Sequence, residues 1–163
     1  MSLKIPNKEI ASIFEDTVAR LFRETIDTNI QKSMMEAFWN KDADGAGKAV
    51  SELLWKTISY NDYHEDYYHA FLAGAFVGIG YEVESNKEKG LGRPDILLKD
   101  EDNRRAIIIE AKKAEKESDI EKECDKAINQ IITEKYAEGL YGYENILCYG
   151  IAFYRKQAKI KLL

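Results

Sequence analysis

The 163-residue sequence contains only two cysteines, Cys124 and Cys148, and neither belongs to a CxxC pair. Two cysteines and two histidines, His64 and His69, are too few for a Cys/His zinc site. Both cysteines are expected to be buried thiols, one in a helical and one in a strand pattern, and a reducing cytoplasm fits. No stretch of about 18 apolar residues occurs, so neither a transmembrane helix nor a membrane partner is expected. The N-terminus, MSLKIPNKEIASIF, lacks the continuous apolar core of a signal peptide. There is no complete Walker A loop. GAGKAV holds a Gly-x-Gly-Lys fragment but not Gly-x-x-x-x-Gly-Lys-Ser/Thr, so ATP hydrolysis by this chain is excluded. An arginine-rich recognition helix, a zinc finger and an aromatic RNA-binding signature are all missing, which argues against reading a specific base sequence. The net charge of −5 argues against nonspecific nucleic-acid binding by the chain as a whole.

What is present is the composition of a globular protein, with 45% hydrophobic and 33% charged residues, enough for one domain with a helical extension. The apolar residues Ile10, Ile13, Phe14, Val18, Leu21, Phe22 and Ile26 recur at helical spacing from Asn7 to about Asp27. A second helix fits IQKSMMEAFWN. KDADGAG is expected to be a loop, with Gly45 and Gly47 as breakers, and KAVSELLWKTIS a third helix. The apolar run from Tyr68 to Ile79 predicts a mostly buried helix stopped by Gly80. Tyr63, Tyr67, Tyr68 and Phe71 are read as packing aromatics.

The period then changes. YEVES alternates like a half-buried strand. DILLK and RAIIIEAK are continuous apolar runs that suit central strands covered on both faces. The polar turn DEDN, residues 100–103, makes them a hairpin. A helix follows from about Ser118 to Tyr136, with Ile120, Cys124, Ala127, Ile128, Ile131 and Ile132 on one stripe and Ser118 as its N-cap. AEGLYGYEN is a loop, ILCYGIAFY a strong strand and QAKIKLL a weaker one.

Charges stand at the edges of the two central strands. Side chains alternate along AIIIEAKK, so Glu110 and Lys112 share a face while Ala111 points the other way. The hairpin lets Asp95, at the start of one arm, lie beside Glu110, at the end of the other. Two converging carboxylates raise each other's pKa unless a cation sits between them. A hard divalent ion such as magnesium takes such oxygen ligands, and a lysine beside it stabilises a developing anion. Glu-x-Lys alone is an ordinary strand-end salt bridge. Pro-Asp opening the preceding buried strand turns the pair toward a metal site and phosphodiester hydrolysis. Lys87, Lys89, Arg93, Lys112, Lys113 and Lys116 form a local basic cluster around it.

RPDILL followed by IIIEAKK resembles the core signature of the PD-(D/E)XK nuclease superfamily. YYHAFLAGAF, GYEVESNKEKGLGRPDILL, AIIIEAKKA and YGIAFYRKQAKI are similar to the subgroup found C-terminal to AAA-ATPase-like domains in bacterial proteins, over about residues 48–163. The resemblance implies an α/β fold: a restriction-endonuclease-like αβββαβ core with a mixed central sheet, over residues 63–163. An all-helical segment, residues 1–62, precedes it and would link to or pack on an upstream AAA-ATPase-like domain. The resemblance also implies Mg²⁺, with Mn²⁺ as a substitute, held by Asp95, Glu110 and the Ala111 carbonyl, and Lys112 as the catalytic lysine. Glu65 is the candidate for a further acid from the first core helix, with Asp66 second; acids at a helix N-terminus also have a dipole explanation. Gln130 and Tyr136 are candidates near the substrate phosphate, or else a solvated helix residue and a packing aromatic. Arg93, Lys113 and Ser85, with its neighbour Asn86, are candidate substrate contacts. Gly90 and Gly92 serve chain turning. His69 faces the pocket or is a satisfied buried histidine. The expected substrate is nucleic acid, DNA rather than RNA. The alternative is a catalytically silent module that keeps the fold for nucleic-acid or partner binding.

Overall fold

The computed structural model of the chain describes Arg20, Glu24 and residues 28–57, 65–85 and 92–163. Apart from Arg20 and Glu24, the helix expected from Asn7 to Asp27 lies outside the described residues, as do Tyr63, His64, Asn86, Lys87, Lys89 and Gly90. From residue 28 the described elements begin with three helices: α1 (Thr28–Trp39), α2 (Ala43–Thr57) and α3 (Glu65–Val77). Then follow β1 (Glu82–Ser85), β2 (Ile96–Asp100), β3 (Arg105–Lys113), α4 (Ile120–Glu134), β4 (Asn145–Tyr154) and β5 (Gln157–Leu162).

The five strands form one mixed sheet in the order β1-β2-β3-β4-β5. Only β3 and β4 are parallel, with α4 as the crossover between them; the other neighbours are antiparallel. The apolar runs explain this order. Along β3, Ile107, Ile109 and Ala111 join a large core with α1, α2 and α3, while Ala106 and Ile108 join a second core with Ile131 of α4 and Tyr136. A strand buried on both faces needs apolar side chains at consecutive positions, which is what AIII supplies. Each fully buried isoleucine contributes about 1.5–3 kcal/mol of transfer free energy.

The helices before the expected core are built into it. Tyr149 of β4 donates to the Phe38 carbonyl at 2.5 Å, and its ring meets Phe38 edge-on at 5.0 Å. Gln31 of α1 donates to the Ala75 carbonyl at 2.9 Å, and Ser51 of α2 accepts the Ala158 backbone N–H at 3.0 Å. Tyr68 stacks on Phe153 at 4.3 Å and donates to the Arg155 carbonyl at 2.7 Å. Cys124 and Cys148 are both buried free thiols.

Two local expectations are corrected. KDADGAG is not a loop. Helix α2 begins at Ala43, and the Asp42 carboxylate accepts the Gly45 N–H at 2.9 Å as a helix cap. Gly47 does not break the helix but lets it approach β5, where a Cβ would stand 3.2 Å from the Ala158 carbonyl oxygen. Ser118 is not the N-cap of α4. A short 3-10 turn, Glu117–Asp119, takes it up, and Asp119 precedes α4 without a side-chain capping bond. The helix ends at Glu134 because Lys135 turns left-handed (φ 53°), and the expected loop opens with a 3-10 turn, Tyr136–Gly139. Gly80 does end the turn after α3, with φ 89°.

Candidate active site

The register of the β2–β3 hairpin decides where the charges meet. Ile96 pairs with Ile109, so the next step outward sets Asp95 against Glu110. Beyond the last strand pair, side chains take over from the ladder. The Ala111 N–H donates to Asp95 Oδ2 at 2.9 Å, and the Asp95 N–H reaches Glu110 Oε2 at 3.4 Å. Each carboxylate thus caps the other strand's backbone. The two acids are held together by the same hydrogen-bonding pattern that pairs the strands.

Glu110 is 1% exposed. Burial, and then the charge of Asp95, push its pKa up to about 7, against the pull of Lys112. Asp95 moves the other way. Burial opposes its ionisation, but His69, the Ala111 N–H and the Lys112 charge together hold its pKa below the ordinary value. The environment therefore separates two neighbouring carboxyls, a pattern concentrated at functional sites.

Lys112 lies on the Glu110 face of β3, as strand alternation requires. Its Nζ is 3.0 Å from Glu110 Oε1 and donates to Gln130 Oε1 at 2.6 Å. Gln130 in turn donates through Nε2 to the Tyr136 hydroxyl at 3.3 Å. Gln130 comes from α4 and Tyr136 from the 3-10 turn after it. Burial raises the Tyr136 pKa, so its hydroxyl stays protonated at neutral pH. The result is a continuous polar chain from Glu110 through Lys112 and Gln130 to Tyr136.

The opposite face of the sheet also reaches this point. From α3, His69 Nε2 stands 3.2 Å from Asp95 Oδ2, with both side chains largely buried. Nε2 nevertheless makes no aligned hydrogen bond and is buried unpaired. Burial lowers the His69 pKa, but Asp95, the charge of Glu65 and the Ala111 carbonyl outweigh it and raise it overall. Glu65 lies one helical turn before His69, so both fall on the same face of α3.

The remaining candidates sit around this centre. Ser85 ends β1, paired with Ile96, one residue from Asp95. Arg93 is exposed two residues before Asp95. Lys113 points to the other face of β3 from Lys112 and pairs with Glu115 at 3.1 Å. Sequence reasoning left Gln130 between a substrate contact and a solvated helix residue; in the structure its Oε1 accepts from Lys112. It left His69 between two roles, and the helical spacing from Glu65 is the one sequence signal that links it to the site.

A family model described as the PD-(D/E)XK nuclease superfamily matches residues 63–162. The chain belongs to the PD-(D/E)XK nuclease superfamily. Its α3-β1-β2-β3-α4-β4 order is the αβββαβ arrangement of the restriction-endonuclease-like fold, with Pro94-Asp95 opening β2 and Glu110-Ala111-Lys112 closing β3. No curated protein matches the chain.

The donors suit a hard divalent cation. They are carboxylate oxygens, a main-chain carbonyl and one buried, unpaired imidazole nitrogen, and burial, then the Asp95 charge, push Glu110 up to about 7. Among the described residues, no three His, Cys, Asp or Glu side chains form a ready-made cluster for an ion. The Glu110 carboxylate is engaged by Lys112 and the Asp95 N–H. No helix among the described residues is long and apolar enough to cross a membrane.

Proposed function

We propose that the chain is a divalent-metal-dependent nuclease that hydrolyses phosphodiester bonds, with DNA favoured over RNA. The observation that carries this reading is the forced meeting of Asp95 and Glu110 at the open ends of β2 and β3, with the Lys112 ammonium 3.0 Å from Glu110. Asp95, Glu110 and the Ala111 carbonyl would hold Mg²⁺, with Glu65 as a further acid from α3. Such an ion, when bound, supplies Lewis-acid polarisation of a phosphoryl oxygen. The protein's own part is placement. Asp95 is kept ionised by His69 and the Ala111 N–H. Lys112 is held between Glu110 and Gln130 with its charge toward the strand ends, where a phosphate would gather negative charge. Gln130 of α4, itself bonded to the Tyr136 hydroxyl, fixes that lysine. Arg93, Lys113 and Ser85 lie at the rim, where a nucleic-acid backbone would pass. The AAA-ATPase-like partner domain belongs to this reading on the resemblance of residues 48–163 alone.

A cleavage assay with Mg²⁺ or Mn²⁺ on duplex DNA, single-stranded DNA and RNA tests the proposal. Asp95→Ala and Lys112→Ala should each lower the rate by at least about 100-fold, the scale for removing one electrostatic stabiliser of a transition state. Equal cleavage by wild type and both variants would end it. The Glu110–Lys112 ion pair favours a second reading, a non-catalytic binding module in which the lysine neutralises the acid. Calorimetric titration with Mg²⁺ separates the two, since the silent module takes up no ion.

A further inference from the structure

We infer that His69 Nε2 is a direct ligand of the divalent ion, so that the site has one nitrogen donor from α3 beside its oxygens and favours Mn²⁺-like ions over Mg²⁺. The inference rests on the reading that this site holds a divalent ion, and it adds a ligand and a metal preference to it.

The geometry supplies the argument. His69 Nε2 and Asp95 Oδ2 are 3.2 Å apart, within hydrogen-bond range, yet no N–H is aligned between them and Nε2 is left buried and unpaired. Buried polar atoms without a partner are rare and call for a ligand, a water or a catalytic role. Two donors at right angles about an ion with bonds of about 2.1 Å stand about 3 Å apart, the edge of an octahedron. The observed spacing fits that edge. The Ala111 carbonyl also faces the His69 ring, a third possible donor beside it. These donors are two side chains and one main-chain oxygen, a set in which only two side chains need to converge. The competing role is a protonated histidine salt-bridged to Asp95, which would need the N–H directed at Oδ2.

An imidazole donor changes the ion preferred. Oxygen-only sites suit Mg²⁺, whereas nitrogen donors shift a site toward the first-row transition metals. Mg²⁺ also gives up its waters reluctantly, so replacing one with a neutral nitrogen gains it little.

The test uses the full chain without an affinity tag, stripped of metal and titrated by calorimetry with Mn²⁺ and with Mg²⁺. Pulsed electron paramagnetic resonance on the Mn²⁺-loaded protein, with natural-abundance and ¹⁵N-labelled histidine, then reads the ligand directly. Wild type should show an imidazole nitrogen coupled to Mn²⁺. His69→Gln should abolish that coupling and weaken Mn²⁺ binding by at least about 10-fold, with a smaller change for Mg²⁺. His64→Gln, the other histidine, should change neither. Bound Mn²⁺ without nitrogen coupling in wild type, or coupling that survives His69→Gln, would overturn the inference while leaving the metal site standing. Absence of Mn²⁺ and Mg²⁺ binding by wild type would instead remove the metal reading itself.

Discussion

Glu110→Gln should make the metal-stripped protein more stable above neutral pH, although it removes a buried ion pair. Glu110 is 1% exposed, and burial together with Asp95 raises its pKa from 4.5 to about 7. The folded state therefore holds this proton more tightly than the unfolded chain. Between pH 4.5 and 7 it binds more protons than the unfolded state, so stability falls as pH rises through that window. At 1.36 kcal/mol per unit, the buried charge costs about 3 kcal/mol at pH 8. Glutamine keeps the shape and removes that cost. The attraction of Lys112, which is about one-fifth exposed and keeps Gln130 as an acceptor, is already contained in that pKa and adds no separate loss. The net gain is therefore about 3 kcal/mol, or roughly 6–12 °C in Tm for a chain of this size. Scanning calorimetry in EDTA from pH 4.5 to 8 reads it: a gap that opens with pH and closes near 4.5. An unchanged or lower Tm at pH 8, or a gap independent of pH, would refute the reasoning. Saturating Mn²⁺ should reverse the ranking. A ligand at about 1,000 times its Kd adds about 4 kcal/mol to wild type, and the variant loses most of it.

Two further outcomes follow from packing and from the polar chain. Gly150→Ala places a Cβ 2.9 Å from the Cys124 carbonyl oxygen and from Ile128 Cγ1, so α4 must shift away from β4; urea unfolding should show a loss of about 1–3 kcal/mol, the range for overpacking. Gln130→Ala frees Lys112 from α4 without touching Asp95, so kcat for cleavage should fall by about 10-fold or more with little change in KM and no loss of Mn²⁺ binding by calorimetry, whereas equal loss of metal affinity would place Gln130 in a different role.

The central strands were legible because burial on both faces leaves an uninterrupted apolar run, and no helix signal competes with RAIIIEAK. The meeting of Asp95 and Glu110 was legible too, because equal hairpin arms around residues 100–103 fix the register by counting. What failed was decided by contacts far along the chain. Gly45 and Gly47 look like breakers locally, but Asp42 caps the helix and β5 leaves little room for a Cβ at position 47. Ser118 has the chemistry of a cap, yet a 3-10 turn moves the helix start past it. His69 was left open by the sequence, since its only local signal is the helical spacing from Glu65. Its proximity to Asp95 exists only once α3 docks beside the ends of β2 and β3.

That docking explains why the polar cluster is tolerated inside an apolar fold. Most of its groups are satisfied: Asp95 accepts from the Ala111 N–H, Lys112 donates to Glu110 and Gln130, and Gln130 reaches Tyr136. Two are not. Glu110 resists ionisation at its own position, and His69 Nε2 has no aligned partner. A structural polar network minimises such defects, because a half-satisfied network costs more than an apolar core. His69 Nε2 stands 3.2 Å from Asp95 Oδ2 and Glu110 accepts from the Asp95 N–H, so a divalent cation between them would relieve both. The repulsion that raises Glu110 would become attraction to the ion, and the unpaired nitrogen would gain a bond. The strain at the strand ends is thus a feature that stability alone does not account for, and it coincides with the residues on which the proposed chemistry depends.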